Sequence, residues 1–294
     1  MTMPTNYTTA MQEPKQKIAK EVQDRLEVCK LISDTLAVLR KDCSNKDPLT
    51  LHLDPHKDIL NYNDIQIISY LCHSCGIPLS LAIGGCEANR DLQELASLSA
   101  ANIQASCIES SFALTKLLSS YERIYNTLDV QQKPSISLVL NTPGCFTCLG
   151  EILALSANTP INTLLIDRNA LSSYSLNDKE IVSMVEDSMP RTHAGHKLEI
   201  GICGGISPDS VKQICSVFKP DLLCTKMFIV KASSLSIYAS TPEIISALLV
   251  LEIRILDLIL LHRSAVSSAI TSRRDSLVRF IQASTINQVI HSRE

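Results

Sequence analysis

Residues 79–115, LSLAIGGCEANRDLQELASLSAANIQASCIESSFALT, constrain the fold more than any other stretch. Leu79 to Ile83 is a short apolar run ended by Gly84-Gly85. Asp91 to Leu98 carries apolar residues at helical spacing, and Ile103 to Ile108 is a second apolar run that ends at Glu109. Strand, helix and strand in so few residues make one parallel βαβ unit. The carboxyl ends of strands in such units face the ligand crevice, so Glu109 stands where catalytic acids stand. An acid there equally suits the dipole of the helix that Ser110 and Ser111 open.

The rest of the chain repeats this unit. Gln16 to Arg40 has the apolar stripe of an N-terminal helix, and Leu49 to Asp54 alternates as a first strand ending in Asp54-Pro55-His56. Later strands are expected at Ser135 to Leu140, Ile161 to Ile166 (followed by Asp167) and Leu198 to Cys203, with short apolar pieces at Asp221 to Cys224 and Met227 to Val230. Ser207-Pro208 reads as the start of a helix. Seven or eight strand–helix repeats without a break favour an α/β fold, a (β/α)8 TIM-type barrel with an N-terminal helix and extra C-terminal helices. The chain has no tryptophan and only 4% aromatic residues, so its core must be aliphatic, which suits a parallel sheet wrapped by helices. The division expected is a disordered 1–13, a barrel domain over 14–241 and a helical extension over 242–294, packed on the barrel or on a neighbouring subunit.

Composition excludes several functions. A net charge of −3 gives no electrostatic case for nucleic acid or an anionic membrane. The polar N-terminus lacks an export signal, so a cytoplasmic protein is expected. Residues 244–261, IISALLVLEIRILDLILL, contain Glu252, Arg254 and Asp257, each costing about 2.5 to 3.5 kcal/mol at a bilayer centre, so they read as a buried helix rather than a span. Residues 243–261 are apolar at nearly every position, more than one barrel-facing stripe needs. A homo-oligomer through this helix is expected, with the three charges at the rim or paired across the interface. The eleven cysteines include Cys72-x-x-Cys75 and Cys145-x-x-Cys148, a zinc-like pattern. One pair precedes a strand and the other follows one, which puts them at opposite ends of a barrel. Arg273-Arg274 reads as a solvated face.

Several motifs, in order, carry a resemblance. IGGCEANRDL at 83–92 resembles the I-G-G-C-E-A-x-R-D signature of the aldolase/citrate lyase (HpcH/HpaI-like) family of the phosphoenolpyruvate/pyruvate barrel superfamily. CIESSFALTKL at 107–117 resembles its M-I-E-[ST]-P-Y-A-L-K-K segment, GICGGISPDSV at 201–211 its V-G-G-G-I-S-x-E-S, and the helix around Leu251-Glu252 its terminal A-L-x-F-E-L-L-W-L. The similarity spans roughly 49–285.

The resemblance implies a metal-dependent carbon–carbon lyase or aldolase acting on a 2-oxo acid or acyl-thioester through an enolate held on Mg2+ or Mn2+. It implies Glu109 and Asp167 as metal ligands. Asp167 takes the place of the family Asp if LLIDRNALSSYSL carries a two-residue insertion, whereas a one-residue deletion puts Ala170 there and loses the ligand. Gly84, Gly85 and Asn141 would bind the substrate, the two glycines through their backbone, with Asp54 and Lys226 as catalytic residues. Departures are equally legible: Ala82 replaces a lysine, His52-Leu53-Asp54 replaces E-F-E on the first strand, Leu140-Asn141-Thr142 replaces N-I-E-T, and Cys224-Thr225-Lys226-Met227 replaces E-T-R-K. Lys226 cannot clamp a carboxylate bidentately as arginine does. The alternative is therefore a catalytically degenerate barrel serving as a binding or scaffold protein.

Overall fold

The computed structural model describes residues 23–37, 49–58, 60–127, 133–156, 159–188, 198–234, 241–262 and 268–291. The expected disordered 1–13 lies outside them. A helix, α1, covers 23–37 and buries Val28, Ile32 and Leu36, the i, i+4, i+8 stripe its sequence carries. Eight strands then close into a barrel in chain order: β1 (Leu49–Leu53), β2 (Leu79–Ile83), β3 (Asn102–Ser106), β4 (Ser135–Leu140), β5 (Ile161–Asp167), β6 (Glu199–Cys203), β7 (Leu222–Cys224) and β8 (Phe228–Lys231). Between them run α2 (Tyr62–Cys75), α3 (Asn89–Ala96), α4 (Ser111–Thr127), α5 (Pro143–Thr147), α6 (Leu149–Ser156), α7 (Arg168–Ser172), α8 (Asp178–Ser188) and α9 (Val211–Phe218). Two long helices follow, α10 (Thr241–His262) and α11 (Ser268–His291).

The fold is the TIM-type barrel expected, with one departure. Strands β1 to β7 are parallel to their neighbours, but β8 is antiparallel to both β7 and β1. The cause is the length of its connection. Only Thr225, Lys226 and Met227 separate β7 from β8, and a parallel return needs a crossover of a dozen residues or more. A second, smaller difference is at α9, which begins at Val211 rather than at Ser207-Pro208, because Ser207 and Ser210 hydrogen-bond each other in a turn before it.

Alternation along the strands divides the core in two. Leu49, Leu51 and Leu53 of β1, Leu79, Leu81 and Ile83 of β2, and their counterparts around the barrel pack outward under the helices. The lumen-facing residues are of two kinds. Val139, Leu165, Leu222, Cys224 and Ile229 form an apolar cluster, whereas Ser80, Gln104, Ser137 and Thr163 are buried polar groups. The polar set is hydrogen-bonded largely through Asn102, with Thr163 donating to Asn162 Oδ1 (2.9 Å). Ser80 donates to Asn102 Oδ1 (2.9 Å), and Asn102 Nδ2 donates to Ser135 and Ser137 (2.9 and 3.0 Å). An unpaired hydroxyl or amide here would cost about 1–3 kcal/mol, so this network is a condition of the lumen's polarity.

Helix α10 packs against α2, α9 and α11 within its own chain. Ile244, Ile245, Leu248, Leu249, Leu251, Ile255, Leu256, Leu258 and Ile259 are all buried. The surplus of apolar positions that suggested a subunit interface is thus covered by the barrel on one side and α11 on another. Its three charges also find partners inside the chain. Glu252 accepts from Thr225 and Met227, Arg254 pairs with Glu27 at 3.2 Å, and Asp257 with Arg274 at 2.7 Å. Among the described residues no helix is long and apolar enough to cross a membrane.

Candidate functional site

The carboxyl ends of the strands open into a cavity of about 560 Å3. Its wall is made by Asp54 and Lys57 after β1, Asp167 at the end of β5, Cys203 and Gly204 at β6, and Cys224, Thr225 and Lys226 at β7. His52 and Gln104 line it from the lumen. Leu249 and Glu252 of α10, with Leu277 and Phe280 of α11, line it from the C-terminal helices. The hairpin between β7 and β8 is what hangs Lys226 over this mouth.

Three of the residues expected at the site meet here. Asp54 holds the turn after β1, accepting from the Lys57 amide (3.0 Å), with Lys57 Nζ 3.5 Å from its other oxygen. Asp167 caps α7 by accepting from the Ala170 amide (3.1 Å) through one oxygen. Gly204 fits against it only because it lacks a side chain: its φ is +82°, and a Cβ would lie 2.7 Å from the Asn169 amide and 3.0 Å from Asp167 Oδ1. Lys226 reaches Asp58 at 3.0 Å and is otherwise exposed.

The other expected residues do not line the cavity. Glu109 is exposed beyond β3 and accepts from the Thr142 hydroxyl. The β4–α5 turn folds close over it, so a Cβ on Gly144 would sit 3.1 Å from its carboxyl carbon. The Gly84 amide donates to Asp91 Oδ2 (2.7 Å), which also meets His56 Nε2 (3.0 Å); Asp91 braces the glycine turn, the structural role. Asn141 lies between the thiols of Cys107 and Cys145. The two C-x-x-C pairs fall on α2, before β2, and on α5 and the residue after it, beyond β4, so they belong to opposite ends of the barrel.

Residues to which the sequence assigned no role in the site complete it. His52 accepts or donates at Nδ1 to Ser80 (3.3 Å), and enclosure by the barrel lowers its pKa to about 4, against the pull of Asp54 and Asp58, so the imidazole is neutral at pH 7. The signal was present: β1 alternates, and His52 lies on the face opposite Leu51 and Leu53. Cys203 and Cys224 are in register on β6 and β7, and burial raises both thiols, Cys224 to about 12, so both are protonated and unreactive. Glu252 is fully buried, and burial raises its pKa even though it accepts from Thr225 Oγ1 (2.7 Å) and the Met227 amide (2.8 Å). Arg273 is no solvated residue: 13% exposed, it pairs at 2.7 Å with Asp58, whose side chain is 2% exposed. It ties α11 to the loop after β1.

The resemblance implies Mg2+ or Mn2+ on Glu109 and Asp167. As a pair they do not fit, since Glu109 is engaged by Thr142 and does not line the cavity. Among the described residues no three His, Cys, Asp or Glu side chains gather where they could hold an ion. Asp167 alone is compatible with a hydrated Mg2+, which takes one or two protein carboxylates and completes its shell with water and substrate oxygen.

No family model matches the chain, and no curated protein matches it. Solved structures of similar shape include a citrate synthase variant, 11% identical with a TM-score of 0.45 over 66% of this chain and 82% of that one. Another is a HpcH/HpaI aldolase/citrate lyase family protein from Burkholderia cenocepacia, 10% identical with a TM-score of 0.47 over 69% of this chain and 85% of that one. A third is a ribulose-1,5-bisphosphate carboxylase/oxygenase from Pyrococcus horikoshii, 10% identical with a TM-score of 0.45 over 88% of this chain and 62% of that one.

Proposed function

We propose that this chain is a carbon–carbon lyase or aldolase that takes a small 2-oxo acid or acyl-thioester into the carboxyl-end cavity. The observation that supports it is the lining of that cavity, where the carboxyl groups of Asp54, Asp58, Asp167 and Glu252 and two ammonium groups, Lys57 and Lys226, share one wall system. Lys226, half exposed and paired with Asp58, which Arg273 also holds, can turn from it to meet a substrate carboxylate as a point charge. Neutral His52 at the floor can hold a proton on the reacting oxygen without adding charge. In this proposal Asp167 orients the enolate-forming end. Mg2+ or Mn2+, when bound at Asp167, supplies Lewis-acid stabilisation of the enolate. A cytoplasmic location belongs to the same proposal, in keeping with ten described cysteines that are all free.

Calorimetric titration with Mn2+ tests the metal part. Wild type should bind, Asp167→Asn should not, and Glu109→Ala should bind as wild type does. Absence of a wild-type site at millimolar metal ends it. Turnover of a panel of 2-oxo acids and acyl-thioesters tests the reaction, which should vanish in Asp167→Asn.

Two observations favour a second reading, a degenerate barrel that binds without catalysis. Glu109 is turned to Thr142, and neutral Ala82 lines the cavity where the family carries a lysine. This reading expects a stable metal-free fold and no turnover. Any lyase activity lost in Asp167→Asn removes it.

A further inference from the structure

The amino end of the barrel holds a second cavity, of about 180 Å3, which shares no lining residue with the first. Barrel interiors are ordinarily filled by branched aliphatic side chains in layers. Here one side of the cavity is polar. The Ser135 and Ser137 hydroxyls are held by Asn102 Nδ2 at 2.9 and 3.0 Å, and Ser137 donates back to Asn102 Oδ1 at 3.1 Å. The facing side is the apolar surface of Leu165, Leu222 and Ile229.

At the mouth stand two opposite charges. The reversal of β8 brings its last residue, Lys231, to the amino end, in register with Leu222 of β7 and so close to Glu199, the first residue of β6. Lys231 Nζ lies 2.5 Å from Glu199 Oε1, and the two side chains are 31% and 32% exposed. An ion pair so open to water is held weakly, and each partner can exchange the other for a ligand charge.

A cation and an anion side by side, above a hydroxyl-lined recess, complement one class of small molecule. We propose that this cavity binds a free α-amino acid with a small polar side chain. Lys231 takes the α-carboxylate, Glu199 takes the α-ammonium, and the side-chain hydroxyl reaches the Asn102, Ser135 and Ser137 group. The size agrees: the cavity holds about six water volumes, which suits a molecule of serine or threonine size. The proposal stands whether or not the carboxyl-end cavity is catalytic.

Isothermal titration of the full chain with serine, threonine and valine tests it, with lactate and ethanolamine as probes carrying one charge each. Serine or threonine should bind saturably with one site, and each single-charge probe about tenfold more weakly or not at all. Glu199→Gln and Lys231→Met, confirmed folded by circular dichroism, should each weaken serine binding by about tenfold. Ser137→Ala should shift preference toward valine. Three results overturn the proposal: no wild-type heat for any amino acid at millimolar concentration, lactate or ethanolamine binding as well as serine, or undiminished binding in both charge variants. Metal binding at the other end of the barrel is a separate readout, so failure of either site is distinguishable.

Discussion

Replacing Arg273 with leucine should unlatch α11 from the barrel at a cost that can be worked from its surroundings. The partner, Asp58, has 2% of its side chain exposed, and Arg273 itself 13%. Removing one member of a buried pair leaves an uncompensated charge, a loss of about 3–5 kcal/mol. Lys226 still lies 3.0 Å from Asp58, but it is 51% exposed and screened, so it returns under about 1 kcal/mol. The net expectation is a loss of about 2–4 kcal/mol, read from the urea midpoint at unchanged slope. Lys226→Met should cost under about 1 kcal/mol. The informative variant is the double one, Asp58→Leu with Arg273→Leu. Arg273 Nε and Nη2 are buried without a hydrogen-bond partner among the described residues, so the native pair is incompletely satisfied. Apolar replacement of such pairs is often neutral or stabilising, and the double variant should recover most of the loss. A single variant within about 0.5 kcal/mol of wild type would refute this reasoning, because changes of that size are ordinary for solvated surface residues. A double variant less stable than the two single losses combined would refute it as well.

Four further outcomes are expected. His52 stays neutral in the fold down to about pH 4, whereas in the unfolded chain it takes a proton near 6.5; the unfolded state therefore gains protons in that window, and stability falls as pH drops from 6.5 to 4, by up to about 3 kcal/mol. His52→Gln should flatten this part of a pH series of urea titrations. Glu252→Ala removes the acceptor of both Thr225 and the Met227 amide in a fully buried place and should cost about 2–4 kcal/mol, with Glu252→Gln much milder, by thermal unfolding. Gly204→Ala forces a side chain to within 2.7 Å of the Asn169 amide at a positive φ and should lower stability by about 1–3 kcal/mol in the same assay. Light scattering separates assembly from folding on α10: Leu249→Asp, at a buried position, should unfold the chain, while Val250→Asp, at a position 38% exposed, should leave it folded and reduce its mass only if α10 pairs with another copy.

How much was legible follows from which forces are local. Residues 79–115 give β2, α3, β3 and the start of α4 within two or three residues, because alternation, helical spacing and glycine turns are properties of neighbouring side chains. The barrel itself was legible from repetition of that unit. Asp54 and Asp167 were legible as acids at strand ends, and both line the carboxyl-end cavity because a strand's end has a known direction in a barrel. Glu109 met the same rule, yet the rule fixes only the backbone. Its side chain went to Thr142, a partner supplied by the next strand, and nothing local to Glu109 announces it.

The tertiary structure alone decided the rest. The reversal of β8 was implicit in a three-residue connection, but its consequence, Lys231 beside Glu199 at one end and Lys226 over the cavity at the other, needs the closed barrel. Arg273 reads as one of two adjacent basic residues on a polar helix, and becomes buried because Asp58 lies under α11 more than two hundred residues away in sequence. Glu252 reads as a rim charge or an interface partner in an apolar run, and is buried within its own chain because the β7–β8 hairpin presents a hydroxyl and an amide to it. Periodicity reports which face of an element is apolar; it cannot report what that face meets. A buried charge is stabilised by a partner from another part of the chain, so its fate is settled only when the chain closes on itself.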